Sequence, residues 1–577
     1  MYIKNLIIKN FRCFDSAGIK INFDNNLTAI IGRNGSGKTA ILEALNYLIG
    51  QEYLPTKISE TDFHYDANNI NDEILIECET NNPFFQTLDL VSQERFTVSK
   101  NVVIPCNKVR LTIKRRELTD KVIDDPYIIN KITLPILGNI NESIYEDIKG
   151  DYKTIKIEKN NGFIVYYQLK NGDPRSSKVI DYQLIYNPNR IQKLGKSYYL
   201  DRYRDKEVSG GYSFINKILT DLHWKYRKEK SGSSEVEIRN QYDKLASSLR
   251  GIVDEKGILI RAVNEKIKEI CSEDKKLELN FINIEQPYKS AFLSKVEKTK
   301  CLFPENLGSG FNILIAYALF SYIAEQEKTP IVLVIDEPEL HLHSDWQKKF
   351  YEVLTSQSLL QIIYSSQSEN FISFKDWKQI KTIKDNSIYP KKEILNEVVT
   401  VSDGQSCTRA ECLDDYSRRN LHISCILKEN LELLFSKKVV LVEGVSEKYA
   451  LPKLLHLSQL NIGNFSVSII AVWGKTKIKI YQTICKCFGV DYFTVFDTDK
   501  KNNDEPDNEN SLIENNALPN KTFKYSSNFE ALLGISGQNK FQNLVGKIDN
   551  LSNLEGINEE IKTSVKKLKE FINEEVN

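Results

Sequence analysis

The stretch GRNGSGKT, residues 32–39, follows a run of alternating apolar and polar residues that ends in NLTAII and leads into TAILEALNYLIG (39–50). It is a complete GxxxxGK[ST] phosphate loop, set between a predicted strand and a predicted helix, which is the context that gives the pattern its meaning. Glycines let the backbone N–H groups of Gly32, Arg33, Asn34, Gly35, Ser36 and Gly37 wrap phosphates. Lys38 is expected to reach the β and γ phosphates, and the Thr39 hydroxyl to ligate Mg²⁺. ATP is the expected ligand, and an α/β fold with a parallel sheet the expected frame.

A partner to this loop lies at IVLVIDEPE (331–339). The unbroken apolar run IVLVI reads as a buried parallel strand. Asp336 at its end suits a metal ligand, and Glu337 a base that orients an attacking water. NLGSGFNILIAYALF (306–320) opens a helix with Gly308, Ser309 and Gly310. These segments, with NFRCF (10–14) and DEPELHLHSDWQ (336–347), resemble the ATPase heads of the RecF/SMC-like ABC family. The resemblance implies that Gly308, Ser309 and Gly310 form a signature segment contacting the γ-phosphate of a neighbouring protomer. One position departs from the family. Gln367, in the SSQS stretch after the next strand, stands where the family has a γ-phosphate-sensing histidine. Glutamine hydrogen-bonds phosphate but carries no charge and passes no proton, so slow hydrolysis, or ATP as a bound regulator, is expected.

A second constellation lies far downstream. VVLVEGVSEKYALP (439–452) and TVFDTDK (494–500) put acidic residues at the ends of two predicted strands. Glu443 and Asp497 are separated by 497 − 443 = 54 residues, room for one strand and helix between them. In a parallel sheet both would meet at the C-terminal edge, where open α/β sheets carry their sites. Glu443, Glu447, Asp497 and Asp499 are hard oxygen donors suited to Mg²⁺ or Mn²⁺, and such ions handle phosphodiesters. Lys475, after Gly474 in VWGKTK, is placed for a phosphate contact. EGVSE and DTD resemble the glutamate and DxD motifs of the Toprim domain. That resemblance implies acid/base or metal-ligand roles for Glu443, metal binding by Asp497 and Asp499, a second metal position for Glu447, and a further acidic position at Glu530 in SSNFEALLG (526–534). It also implies a C-terminal lysine, for which several candidates stay open.

Between these motifs the stretch from about 210 to 275 has helical periodicity, broken by Ser/Gly at 231–234. The expected organisation is an ATPase head over 1–205 and 281–400, a helical insertion over 206–280, and a Toprim domain over 430–577. The insertion either dimerises or packs on its own head. This order is that of the OLD (overcoming lysogenization defect) nucleases, a family that includes the Gabija nuclease subunit and retron-associated effectors. The resemblance implies Mg²⁺-dependent DNA cleavage, a homodimer or higher homo-oligomer, an antiphage role, and a co-encoded partner such as a helicase or a reverse transcriptase with its DNA product. The competing reading is an ATP-switched DNA sensor or clamp without cleavage, akin to RecF/SMC repair ATPases.

Composition bounds rather than decides. The 577 residues hold 78 basic and 78 acidic side chains, so nucleic-acid binding cannot rest on net charge and needs local basic runs such as VRLTIKRREL (109–118) or WKYRKEK (224–230). Ten scattered cysteines offer neither a zinc ribbon nor a disulfide framework. The start MYIKNLIIKNF lacks the form of a signal peptide, and no apolar run nears the roughly 20 residues needed to cross a bilayer. A cytoplasmic protein is expected.

Overall fold

The computed structural model describes residues 2–24, 26–49, 60–66, 69–70, 73–91, 98–114, 131–133, 136–137, 155–160, 163–171, 181–183, 197–200, 251, 254, 257–271, 276–280, 292–297, 300–302, 309–327, 331–400, 406–418, 430–498 and 508–574. Contacts divide the chain into two units, Met1–Ile30 with Gly37–Phe371, and Ile31–Ser36 with Ile372–Asn577.

In the first unit, β1 (Ile3–Lys9) pairs antiparallel with β2 (Ile19–Asn22). Its sequence IKNLIIK buries Ile3, Leu6 and Ile8 and exposes Lys4 and Lys9, with a register irregularity between Ile3 and Asn5 in place of strict alternation. β3 (Leu27–Gly32) runs into α1 (Lys38–Ile49). β4 (Glu73–Val91) pairs antiparallel with β1 and with β5 (Val98–Lys114), which carries the basic VRLTIK run. β6 (Ile155–Asn160) and β7 (Phe163–Asn171) form a further antiparallel pair. Then follow β8 (Ser197–Leu200), α2 (Ile258–Cys271), α3 (Ser309–Glu327), β9 (Ile331–Ile335), α4 (Ser344–Ser356) and β10 (Leu360–Ser366). A second sheet has the order β8-β9-β10-β3, with β8–β9 and β9–β10 parallel.

Both IVLVI and LQIIYSS are buried along their whole length, as strands covered on two faces must be. α3 is apolar on all sides and every residue from Gly310 to Ala324 is buried, as expected of a helix lying inside a core. One polar residue inside β10 is fully satisfied. Gln361 accepts from the Ile3 N–H (2.7 Å) and donates to the carbonyls of Ile3 (2.7 Å) and Asp24 (3.0 Å). Of the expected helical insertion, 206–250 lies outside the described residues, WKYRKEK included.

The second unit opens with a hairpin, β11 (Ile380–Lys384) and β12 (Ser387–Tyr389), and with α5 (Arg409–Arg418). These elements fall in a stretch whose sequence has little pattern, because the strands are short and alternate with lysines. Cys407 and Cys412 form a disulfide there, a single local bridge that the scattered cysteines of the sequence do not announce. Five residues apart, the two thiols meet where a short strand turns into α5. The rest is an α/β unit. β13 (Lys438–Val442), α6 (Val445–Leu457), β14 (Val467–Ala471), α7 (Ile478–Cys487), β15 (Asp491–Asp497), α8 (Asn508–Asn516) and β16 (Thr522–Tyr525) alternate, followed by α9 (Phe529–Leu532), α10 (Lys540–Asp549) and α11 (Glu559–Asn573). The sheet order is β14-β13-β15-β16 and every neighbouring pair is parallel. Its core joins Val440, Val442, Leu451, Phe493, Val495, Tyr525, Leu568 and Phe571. The α/β class expected from the two strand-end motifs is what the chain forms. No helix among the described residues is long and apolar enough to cross a membrane.

Candidate active site

The phosphate loop is built by backbone. Gly32, Gly35 and Gly37 have φ of 154°, 79° and 97°, which turns a chain tightly at no side-chain cost. At Gly37 a Cβ would also lie 2.7 Å from Cys13 Sγ and Phe14 Cζ. Gly32, Arg33, Asn34, Gly35 and Ser36 line a cavity of about 340 Å³ in the second unit, with Lys384, Asp385 and Phe488. Arg33 Nη2 donates to Ser466 Oγ at 3.0 Å. Ser36 Oγ is buried without a hydrogen-bond partner, as suits a loop whose polar partner is a ligand.

Within the first unit, Lys38 and Thr39 open α1. Burial pulls the Lys38 pKa down, opposed by the carboxylates of Glu337, Asp336 and Glu339. Thr39 Oγ1 donates to Asp336 Oδ2 at 3.1 Å, which sets a hydroxyl and a carboxylate side by side, a donor pair suited to Mg²⁺. Asp336 is fully buried at the end of β9 and also accepts from Ser365 Oγ. The Glu337 N–H donates to Ser365 Oγ at 3.0 Å, and Glu337 has a φ of 48°, a conformation tolerated only where the surroundings enforce it. Gln367 reaches this group directly. Its side-chain Nε2 donates to the Glu337 carboxylate and its backbone N–H donates to Glu339 Oε1 at 2.6 Å. Burial raises the Glu339 pKa.

The signature-like segment is only partly described. Gly308 lies outside the described residues and Ser309 is described as helical backbone only. Gly310 has a packing reason of its own, since a Cβ there would sit 2.3 Å from the His341 carbonyl oxygen. His343 caps α4 by accepting the Asp345 N–H at 3.4 Å.

The acidic residues gather at the C-terminal edge of the parallel sheet. The register Val442↔Val495 brings the ends of β13 and β15 level. Glu443 Oε2 accepts the Asp497 N–H at 3.5 Å. Asp497 Oδ2 accepts the Phe529 N–H at 3.1 Å, tying the strand end to the start of α9. Glu447 lies in the first turn of α6 and accepts the Gly444 N–H at 3.1 Å. Glu530 accepts from Ser446 Oγ at 2.6 Å. Lys475 is buried, with Nζ 5.9 Å from the centre of the Phe496 ring.

The electrostatics follow from crowding. Burial, then repulsion from Glu530 and Glu443, pushes the Glu447 pKa up to about 7. Burial, then repulsion from Glu447 and Glu443, pushes Asp497 up to about 8. Asp497 Oδ1 is buried with no hydrogen-bond partner. Buried carboxylates held together this way either share protons or neutralise a cation. Among the described residues no three His, Cys, Asp or Glu side chains form a ready-made metal cluster, and Asp499 lies outside them. The orphaned Asp497 oxygen and the all-oxygen donor set fit a hard divalent ion, with Glu443, Glu447 and Asp497 as the residues to hold it.

Residues 1–372, more than half of the chain, match the family described as AAA ATPase domain. The chain belongs to that family. Residues 434–499 match the overcoming lysogenization defect protein-like Toprim domain, so this AAA-family chain has the two-part organisation that the motifs lead one to expect of the OLD family. It is similar to the OLD nuclease of Thermus scotoductus, 21% identical over 92% of each chain. It is also similar to the Old nuclease of Escherichia phage P2, 25% identical over 85% of this chain and 75% of the relative. Endonuclease GajA of Bacillus cereus is 22% identical over 79% of this chain and 68% of the relative. Among solved structures, RecF with ATP is 12% identical and covers 67% of this chain and 98% of that chain, with a TM-score of 0.36. The two family matches and the three nuclease relatives support a nuclease joined to an ATPase. The loop, Asp336, Glu337 and Gln367 fall inside the ATPase match; Glu443, Glu447, Lys475, Asp497 and Asp499 fall inside the Toprim match; Glu530 lies beyond it.

Two positioning side chains leave no signal in the sequence. Ser365 bridges Asp336 and the Glu337 backbone, and Ser446 holds Glu530. Ser446 lies 84 residues from its partner, so no local spacing could reveal it.

Proposed function

We propose that this chain is an ATP-binding, divalent-metal-dependent DNA endonuclease, with its cleavage site on the 430–577 Toprim part and a nucleotide site on the 1–400 ATPase part. The observation that carries this reading is the convergence of Glu443, Glu447 and Asp497 at one sheet edge, with Asp497 Oδ1 buried and unpartnered. A pure binding module gains nothing from carboxylates facing phosphates. A bound Mg²⁺ or Mn²⁺ would supply the positive charge that steadies a phosphodiester under attack and activates water. The protein's own part is positional. The Phe529 N–H holds Asp497, Gly444 holds Glu447 and Ser446 holds Glu530, so each carboxylate presents a defined oxygen. Glu443 serves as acid/base group or metal ligand, and Lys475 as a phosphate contact.

In the ATPase part, Thr39 and Asp336 would hold the nucleotide's Mg²⁺, and Glu337 would orient the attacking water. Gln367 donating to Glu337 gives that base an uncharged partner, in keeping with slow turnover and a regulatory role for ATP. ATP would hold the nuclease in a closed state that nucleotide depletion releases. An antiphage role, a homo-oligomer, cytoplasmic residence and a co-encoded partner belong to the same reading. The test is nicking of supercoiled plasmid by EDTA-treated protein. Activity should return with Mg²⁺ or Mn²⁺ and fall as ATP is raised to saturation. Full activity in EDTA would defeat metal dependence, and a rate unmoved by ATP would defeat the regulation. The competing reading, an ATP-switched clamp, draws on RecF relatives that are 28% identical over 38% of this chain; plasmid binding without nicking under any condition would favour it.

A further inference from the structure

Beside the carboxylate edge stands a side chain with no role in the chemistry so far. Trp473 is half exposed (50%), one of few large apolar residues so exposed among those described. A single exposed apolar residue is ordinary in itself. Its backbone is not. Trp473 has a φ of 59°, a left-handed conformation that a bulky residue adopts at a cost and that clusters at functional sites. The next residue, Gly474, also has a positive φ of 121°, and a Cβ built there meets nothing within 4 Å. The corner is therefore sharply turned, with open space beside it.

Three hydrogen bonds hold that corner. The Val472 N–H donates to the Val442 carbonyl at 2.9 Å, and the Gly474 N–H to the Glu443 carbonyl at 3.0 Å. Trp473 is thus pinned between them, alongside the strand end that bears Glu443. Lys477 Nζ donates to the Trp473 carbonyl at 3.1 Å. Lys475 lies over Phe496, the neighbour of Asp497. An exposed indole at the rim of an acidic edge, with the Lys477 ammonium on its own backbone carbonyl, combines a π-face with a nearby positive charge. That is the pairing by which proteins hold unpaired nucleotides.

We propose that Trp473 stacks on an unpaired base of the nucleic-acid strand being presented to Glu443 and Asp497, and so sets a preference for single-stranded or locally opened DNA. This rests on the nuclease reading. An intact duplex keeps its base faces covered, so a stacking platform works only on a strand end, a bubble or a flipped base. The side chain is half exposed, and the backbone hydrogen bonds on either side fix the corner that carries it.

The experiment compares full-length wild type, Trp473→Ala, Trp473→Phe and Trp473→Gly on a single strand, its duplex, and a duplex with a central mismatched bubble. With Mg²⁺, Trp473→Ala should raise KM on the single strand and the bubble by about tenfold, the lower end of a lost base–aromatic stack. It should leave kcat within about twofold, as expected when binding shared by ground and transition states is lost. Trp473→Phe should recover most of the affinity. Trp473→Gly should bind as poorly as Trp473→Ala yet melt no lower than wild type, because glycine accepts the left-handed φ. Tryptophan fluorescence, read in an Asp497→Ala background so the strand stays intact, should be quenched by the single strand; adding Trp473→Phe should remove the quench. The two opened substrates separate a free strand from an unpaired base within a duplex. An unchanged KM and quench in the variants would overturn the proposal while leaving the nuclease standing. An equal loss on intact duplex would overturn it too, since stacking would not be the cause. If wild type neither binds nor cuts any DNA, the nuclease reading falls first and this inference with it.

Discussion

Asp497 and Glu447 show how a site is stored as electrostatic stress. Both carboxyls have pKa values raised by burial and by neighbouring acids, to about 8 and about 7. An acid with a raised folded-state pKa binds more protons folded than unfolded, so stability falls as pH rises between the two values. The metal-free protein should therefore lose melting temperature from about pH 4 to about pH 8, and added Mg²⁺ should raise it more at pH 8 than at pH 5. Scanning calorimetry across that range checks this; an Mg²⁺ effect independent of pH would count against the cluster as a cation site. At the other site, Glu337→Gln should lower ATP turnover by about 10²-fold or more, the usual worth of a positioned base, while nucleotide binding persists. Turnover against ATP-binding titration separates the two. These residues are readable in the sequence because strand-end acids and glycine loops leave local patterns. Ser446, Ser365 and the φ of Trp473 leave none, since each acts through a distant partner or through backbone geometry.

The legibility of the elements depends on how continuous their burial is. IVLVI, VVLV and YFTVF announce parallel strands because both faces are covered. β16, with the sequence TFKY, is short and half-exposed and carries no long apolar run, yet it completes the sheet beside Asp497. α11 is legible as a charged helix, but what anchors it is not. Lys438, at the start of β13, is 2% exposed and donates to the carbonyls of Phe571, Ile572 (3.3 Å) and Glu574 (2.6 Å). A buried ammonium on the last carbonyls of a helix satisfies groups that the helix cannot pair itself. Burial nonetheless lowers its pKa. Lys438→Met keeps the volume and removes the charge and the bonds. It should cost about 2–3 kcal/mol, within the range for hydrogen bonds to a charged group, and denaturant unfolding followed through the Toprim part reads it. A change below about 0.5 kcal/mol would show that the helix end is held by packing alone.

Taken whole, the chain joins a family-matched ATPase over 1–372 to a Toprim match over 434–499, and both motif sets are legible in the amino-acid sequence alone. The stretch between them is not, because its short strands, its hairpin and the Cys407–Cys412 bridge follow no long period. The proposed role of the acidic edge is to cut DNA. The most direct measurement is the initial rate of supercoiled-plasmid nicking in Mg²⁺ by wild type and by Asp497→Ala, purified in parallel and checked for equal melting. Nicking by wild type with a loss of about 10³-fold in the variant is the predicted result, the scale on which removing a core catalytic group is felt. Equal nicking by the two proteins would contradict it and assign the cleavage elsewhere.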